Sequence, residues 1–216
     1  MMDIKSLRSQ EAQSALVTGY CALQTALLVI DKPQAFEHAF AAFYAAYDSY
    51  LSIINAEMKP TCRNGCAACC FDNPHGVSGA ELYYIHRWIA QEPGYERLRT
   101  QFSVRRAEFT AVSEQPETDP VQIRWKKQKR PCLFLDGEKR CGIYERRPVA
   151  CRMFFSLTPK EQCHPDHPLH AEAINPHLEP STAIKGFLKQ ISNVLGLSDV
   201  PKDFVSGLDV VMQRSS

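Results

Sequence analysis

Four cysteines lie within nine residues of one another in the segment CRNGCAACC, and a second, more widely spaced series of four follows. The first series is Cys62, Cys66, Cys69 and Cys70, and the second is Cys132, Cys141, Cys151 and Cys163. Thiolate is the form of cysteine that binds metal, and soft sulfur selects zinc or iron–sulfur clusters over magnesium or calcium. We therefore predict that the two series meet in space around metal, with all eight thiols as candidate ligands.

The first series has a geometry that local helical structure would favour. In a helix, Cys62, Cys66 and either Cys69 or Cys70 would fall on one face. Cys69 and Cys70 are adjacent and project in different directions, so we do not expect them to be equivalent ligands. One of them could bind a second metal or stay free. The alternative for all eight thiols is that they are buried side chains without metal.

Cations and histidines near the two series are further candidates. Zinc with four thiolates and a [4Fe–4S] core with four thiolates each carry a formal charge of about −2, so charge cannot distinguish them. Either complex would favour nearby arginines, whose alternative role is surface solvation. These arginines are Arg63, Arg146, Arg147 and Arg152. His75, His164 and His167 could complete a site, but each also fits a solvated loop.

Composition limits the class of protein. The 216 residues, 44% of them hydrophobic, are enough for one domain with a substantial core. The formal net charge of +1 predicts no general attraction to nucleic acid or anionic lipid. We see no signal peptide and no apolar run long enough to span a membrane, so we expect a cytoplasmic protein. The odd count of nine cysteines then favours metal or redox chemistry over disulfides.

Hydrophobic periodicity predicts a mainly α fold, a single helical domain around an irregular cysteine-rich centre. We expect a helical hairpin over 1–58, a metal-binding region over 59–178 and C-terminal helices over 179–216. In the hairpin, an aromatic stripe with helical spacing should be core, Asp31 should cap the second helix, and the isolated Cys21 should be a small buried residue. Beyond it, Ser78 and Glu81 form a capping-box pattern. Further helices are expected over 95–112, 181–195 and 201–212.

A cationic run, RWKKQKR, occupies residues 124–130. It could bind phosphate or an acidic protein surface, but a solvated loop is the simpler interpretation. The acidic, proline-containing stretch before it, residues 114–120, predicts a loop.

The segments CRNGCAACC and RPCLFLDGEKRCGIYERRPVACRMF together resemble the YkgJ-type CxxCxxCC cysteine-cluster family, described as chelators of zinc or iron. The resemblance implies a metal site formed by the first series together with Cys132, Cys141 and Cys151. The first hypothesis for function is accordingly a protein that holds zinc or iron for structure or for transfer to a partner.

The same region is similar to the cysteine cluster of flagellin lysine N-methylases. That similarity implies an iron–sulfur centre and methyl transfer from S-adenosylmethionine to a protein substrate, which is the second hypothesis. Tyr144, Arg147 and Arg152 would then hold substrate or cofactor; in the alternative they support the metal ligands. A third hypothesis is a thiol redox sensor that loses metal on oxidation.

Overall fold

A computed structural model describes residues 9–62, 66–116, 118–163, 167 and 181–214. The fold is mainly α, as predicted. The helices are α1 (Gln10–Leu28), α2 (Pro33–Met58), α3 (Gly79–Ile89), α4 (Tyr95–Ser113), α5 (Val121–Lys127), α6 (Val149–Arg152), α7 (Thr182–Val194) and α8 (Phe204–Arg214). Three short 3-10 helices cover Ala68–Phe71, Tyr144–Arg146 and Lys160–Cys163. Within the described ranges no β-strand forms, and isolated bridges pair His75 with Asp203 and Leu135 with Cys141.

The predicted hairpin of α1 and α2 forms, and its aromatic stripe is core. Ser9 begins α1 by accepting a hydrogen bond from the Ala12 N–H at 3.1 Å, which satisfies one of the free donors of the first turn. The rings of α2 interlock with one another and with α3, where Phe40 stacks on Tyr84 with 4.8 Å between centroids. Fully buried residues of the stripe are Phe36, Phe40, Phe43, Tyr47 and Ile54. Burial of these large apolar side chains is the main force that holds the hairpin to the rest of the protein.

Two details of the hairpin differ from the prediction. Asp31 does not cap α2: Lys32 occupies the cap position without a side-chain hydrogen bond, and Pro33 supplies the preorganised first residue instead. Cys21 is exposed rather than buried. Because Leu23 faces the core and residues two positions apart lie roughly 200° apart around a helix, Cys21 points to the solvent side.

Helices α3, α4 and α8 form a second core that packs against α7. The predicted capping box at the start of α3 is confirmed, with Ser78 and Glu81 each bonded to the other's backbone. The helix predicted over 95–112 braces α8, and Ser103 donates a hydrogen bond to Asp209 across that contact at 2.6 Å. α7 is followed by Gly196 with φ of +68°, a left-handed conformation that glycine adopts without strain. None of the described helices is both long and apolar enough to cross a membrane.

The cationic run at 124–130 is not a solvated loop, so that interpretation is wrong. Its first half forms α5, where Trp125 is 2% exposed and Arg124 donates hydrogen bonds to the carbonyls of Val112, Asp119 and Gln115. Lys126 is also buried and pairs with Asp72 at 3.1 Å. The sequence pattern concealed this because buried cations are rare unless they find acceptors, and these acceptors come from other segments.

The outer cations of the same run are also paired. Lys127 contacts Asp119 at 2.7 Å and Arg130 contacts Glu108 at 3.1 Å. These pairs offset much of the positive charge that suggested an acidic partner or a phosphate. The described part of the run therefore helps to hold the loop before Cys132 in place.

Gly79 is a sensitive position for stability, because α3 begins there against the backbone of Leu197. A Cβ atom at Gly79 would lie 2.4 Å from the Leu197 carbonyl oxygen and 2.7 Å from its Cβ. We expect Gly79→Ala to lower the free energy of unfolding by about 1–3 kcal/mol through overpacking. The control is Gly186→Ala in α7, where no atom lies within 4 Å of the added Cβ and a gain of about 0.5–1 kcal/mol is expected. Urea unfolding of both variants tests this, and an equal shift in the same direction would contradict it.

Candidate metal centre

The first cysteine series is irregular, with one short turn of helix at its end. Cys69 and Cys70 lie in the 3-10 helix Ala68–Phe71, whereas Cys62 and Cys66 lie in irregular backbone on either side of residues outside the described ranges. The segment is anchored next to Cys62. The Thr61 N–H donates to the Ser156 carbonyl at 2.8 Å, and the Ser156 N–H donates to the Cys62 sulfur at 3.3 Å.

Cys132 and Cys141 lie in two turns that have the same pattern of backbone hydrogen bonds. In each turn the N–H two residues after the cysteine donates to its sulfur. The N–H three residues after it donates to the cysteine's carbonyl, at 3.0 Å for Cys132 and 3.2 Å for Cys141. Backbone donors aimed at sulfur stabilise a thiolate, because hydrogen bonds to an ionised acceptor are stronger than those to a neutral one. Both sulfurs therefore have an environment suited to metal ligation.

Backbone contacts join the two turns to each other and to the first series. Leu135 and Cys141 form a bridge, and the Gly142 N–H donates to the Phe134 carbonyl at 2.7 Å. The Cys132 N–H donates to the Cys70 carbonyl at 2.6 Å. Cys70 and Cys132 are far apart in sequence, so this hydrogen bond directly shows that the two series meet.

Cys151 reaches the same place on α6, a helix of four residues. The residue is partly buried, and burial raises the pKa of its thiol most strongly, followed by the charges of Cys132 and Cys69. Burial also raises the pKa of Cys132, to about 11. The pKa of Cys141 is raised as well, again mainly by burial. For Cys69 the first cause of a raised pKa is a hydrogen bond with Cys70, and burial is the second.

These interactions define an inner thiol group, which consists of Cys69, Cys132, Cys141 and Cys151. Its members come from three separate segments and are all partly buried. Each of the four thiols favours its neutral form, because burial and the charges of neighbouring thiolates both raise its pKa. A metal ion bound by these thiols would replace their protons, so its affinity would depend on pH.

Three further thiols of the two series, Cys62, Cys66 and Cys163, lie near Cys69 and near one another, whereas Cys70 is hydrogen-bonded to Cys69. The pKa of Cys62 is raised by partial burial of its sulfur and by the nearby Cys66, Cys69 and Cys163. Cys163 is buried at the end of its 3-10 helix, which packs against the 3-10 helix that carries Cys69. We name Cys62, Cys66 and Cys163 the outer thiol group. Cys69 adjoins both groups.

The donor chemistry of this region fits zinc or iron, since it consists of unpaired soft thiols without a disulfide. As they stand, no three His, Cys, Asp or Glu side chains among the described residues are arranged to hold a metal ion. Ligation therefore requires the thiols to lose their protons and turn toward a common point.

The model of one protein family matches residues 61–168, which is half of the chain and includes every cysteine of the two series but not Cys21. The chain belongs to the CxxCxxCC family. That family is described as a "putative zinc- or iron-chelating domain". The resemblance expected from the cysteine segments is thus confirmed, and a metal ion is the partner that the family description supports. No curated protein and no solved structure matches the chain.

The arginines of this CxxCxxCC domain differ in their surroundings. Arg147 lies over the Tyr144 ring at 3.7 Å, and its charge opposes the rise in pKa of Cys69, Cys141 and Cys151. Tyr144 itself is 51% exposed. Arg146 stacks on Trp88 at 4.9 Å. Arg147 therefore acts on three thiols of the inner group, and the charge of Arg152 also lowers the pKa of Cys141.

Arg152, by contrast, is buried and bonded within the protein. It pairs with Asp48 of α2 and donates to the carbonyls of Arg147 at 2.8 Å and Glu145 at 2.6 Å. Sequence reasoning missed Asp48, which stands on α2 as one polar residue among aromatic ones. It also missed a second role of Glu81, whose carboxylate accepts the Val149 N–H. The capping-box pattern identified Glu81 but indicated only its local partner.

The histidines proposed as extra ligands are placed unevenly. His75 is exposed and forms a backbone bridge with Asp203. His167 is half-buried. His164 and Arg63 lie outside the described residues. The roles of His75, His164 and His167 as ligands stay predictions.

Proposed function

We propose that this chain binds zinc or iron through the inner thiol group, Cys69, Cys132, Cys141 and Cys151. The observation that carries the proposal is that four free, partly buried thiols from three segments lie in one region, where the Cys132 N–H donates to the Cys70 carbonyl and backbone N–H groups point at two of the sulfurs. Four thiolates suit the tetrahedral coordination of zinc and also the corners of an iron–sulfur cluster. The family description gives independent support for chelation of zinc or iron.

The charges around the group also favour this function. Four thiolates around Zn²⁺ carry a net charge of about −2, which a site of low dielectric tolerates only with compensation. Arg147 supplies a cation that acts on three of the four thiols. The N–H donors to Cys132 and Cys141 supply further positive ends of dipoles. Such surroundings orient ligands and tune the affinity of a site.

The outer thiol group extends the proposal to further metal. Cys62, Cys66 and Cys163, together with Cys70, would supply the ligands of a second ion or enlarge the centre. Cys69 adjoins both groups and could join them. Thiols of this kind persist in reducing compartments, which supports a cytoplasmic location.

The second candidate is the iron–sulfur enzyme that transfers a methyl group from S-adenosylmethionine to a protein lysine. Exposed Tyr144 beneath the Arg147 guanidinium would be the accessible part of a substrate or cofactor site next to the thiols. Arg152 would then support that site indirectly, because its guanidinium is already bonded to Asp48 and to two backbone carbonyls. This candidate depends on the similarity of the cysteine segments.

Metal analysis of the untagged protein, purified without oxygen, tests the proposal. We expect at least one zinc or iron per chain, retained through gel filtration. A colourless protein with stoichiometric zinc would remove the iron–sulfur candidate, whereas broad visible absorption that bleaches on reduction would favour it. A reduced protein that carries no metal and takes up neither zinc nor ferrous iron would overturn the proposed function.

A further inference from the structure

One buried carboxylate connects the start of α3 with the start of α6. Glu81 is 1% exposed. Its Oε2 accepts hydrogen bonds from the Ser78 N–H at 2.9 Å and from the Ser78 hydroxyl at 2.8 Å. The bond to the backbone N–H is the usual contact of a capping box. Its Oε1 accepts the Val149 N–H at 2.7 Å and the Tyr44 hydroxyl at 3.4 Å. Since Val149 is the first residue of α6, the carboxylate holds the helix that carries Cys151.

The burial of Glu81 is more than the capping box requires. A capping-box glutamate usually stands at the surface, and moving a carboxylate into a protein interior costs free energy unless donors surround it. The donors here come from three segments, α2, α3 and α6. Among the hydrogen bonds that Glu81 makes with described residues, the one from Val149 joins it to the cysteine region.

The other end of α6 is held by Arg152. Its guanidinium pairs with Asp48 and lies 4.2 Å from the centre of the Tyr44 ring. It also bonds to the carbonyls of Glu145 and Arg147, which belong to the loop between Cys141 and Cys151. Tyr44 therefore touches both holding residues, through its hydroxyl on Glu81 and through its ring face on Arg152.

We propose that Glu81 and Arg152 are positioning residues that fix Cys151 among the other thiols of the inner group. This inference rests on the proposed metal binding. The two residues fasten α6 at its first and last positions, and Cys151 lies between them. The same contacts anchor α6 to α2 and α3, which belong to the apolar cores. The apolar cores thereby fix the position of Cys151. Cys132 and Cys141 are fixed differently, by backbone hydrogen bonds within their turns.

The test compares Glu81→Gln with Asp209→Asn in the full-length reduced protein. Asp209 is a matched control, because its carboxylate is 3% exposed and joins α4 to α8 through Ser103 and Arg106. Zinc affinity is measured by competition with a chromogenic chelator. Alkylation of each cysteine by iodoacetamide in the presence of zinc is measured by mass spectrometry. We expect Glu81→Gln to weaken zinc binding about 10–100-fold and to raise the alkylation rate of Cys151 about tenfold relative to Cys132. Asp209→Asn should change neither quantity by more than about twofold.

Arg152→Lys provides a second route to the same result if Glu81→Gln does not fold. Lysine keeps the charge opposite Asp48 but lacks the planar fork that reaches two carbonyls as well. Arg152→Lys should also raise the alkylation rate of Cys151 relative to that of Cys132. Equal zinc affinity in Glu81→Gln and Asp209→Asn, with Cys151 still protected, would overturn the positioning role alone. A wild-type protein in which zinc protects no cysteine would overturn the proposed function as well.

Discussion

Replacing Cys69 with serine is expected to release the metal. Cys69 adjoins both thiol groups, and its charge raises the pKa of Cys62, Cys132, Cys141 and Cys151. Removing residues that merely support metal ligands typically costs 10–100-fold in affinity, so the loss of a ligand at this position should exceed about 100-fold. Metal content after dialysis and the affinity for zinc in a chelator competition both measure the effect.

Cys132→Ser should behave in the same way, because Cys132 belongs to the inner thiol group. The matched control is Cys21→Ser. Cys21 is the one cysteine outside the two series, and it is exposed on α1. Its replacement should leave the metal content and the affinity unchanged. If all three variants retained metal equally, the assignment of ligands would be wrong.

Removal of the metal is expected to loosen the cysteine region while the helical hairpin persists. Metal binding by a site that spans several segments adds its binding free energy to folding, and for structural zinc in zinc-finger peptides that binding free energy is about 10–16 kcal/mol. Here α1 and α2 pack in a large apolar core shared with α3 and α7, which includes Leu23, Phe36, Phe40 and Phe43. We therefore expect local unfolding rather than complete unfolding, since regions of a protein differ in their stability.

Hydrogen exchange followed by mass spectrometry, with and without a strong chelator, measures this difference. Peptides that contain the N–H groups of Cys132, Leu135 and Gly142 should lose protection, and peptides from α2 should not. The Cys69→Ser variant is the control, because it should show the exposed pattern whether or not chelator is present. Uniform loss of protection across α2 and the cysteine turns would show that the metal holds the whole fold.

The elements that the sequence predicted well are those whose causes are local. The stripe of Phe36, Phe40 and Phe43 repeats with the period of a helix, so burial of one face follows from spacing alone. The capping box of Ser78 and Glu81 is likewise complete within four residues. The family resemblance was also visible in short segments, because the spacing of cysteines carries most of its information.

The predictions that were wrong mostly concern residues whose surroundings are formed by distant segments of the chain. Trp125 and Arg124 look like solvated loop residues in RWKKQKR, but carbonyls and aromatic rings from α4 bury them. The burial of Cys21 was predicted from its residue type, whereas its place two residues before the core residue Leu23 puts it on the solvent side of α1. The second hydrogen-bond partner of Glu81 lies far along the chain at Val149, and no local pattern could indicate it.

The hydrogen bond from the Cys132 N–H to the Cys70 carbonyl also bears on the order in which the chain folds. Closing so long a loop costs more entropy than closing the short connection between α1 and α2. Contacts between neighbouring helices form quickly, whereas contacts between distant segments slow the approach to the native state. We therefore expect the hairpin of α1 and α2 to form before the two cysteine segments come into contact. Nascent chains would then expose reactive sulfur for a time, and a supply of zinc or iron during synthesis would shorten that interval.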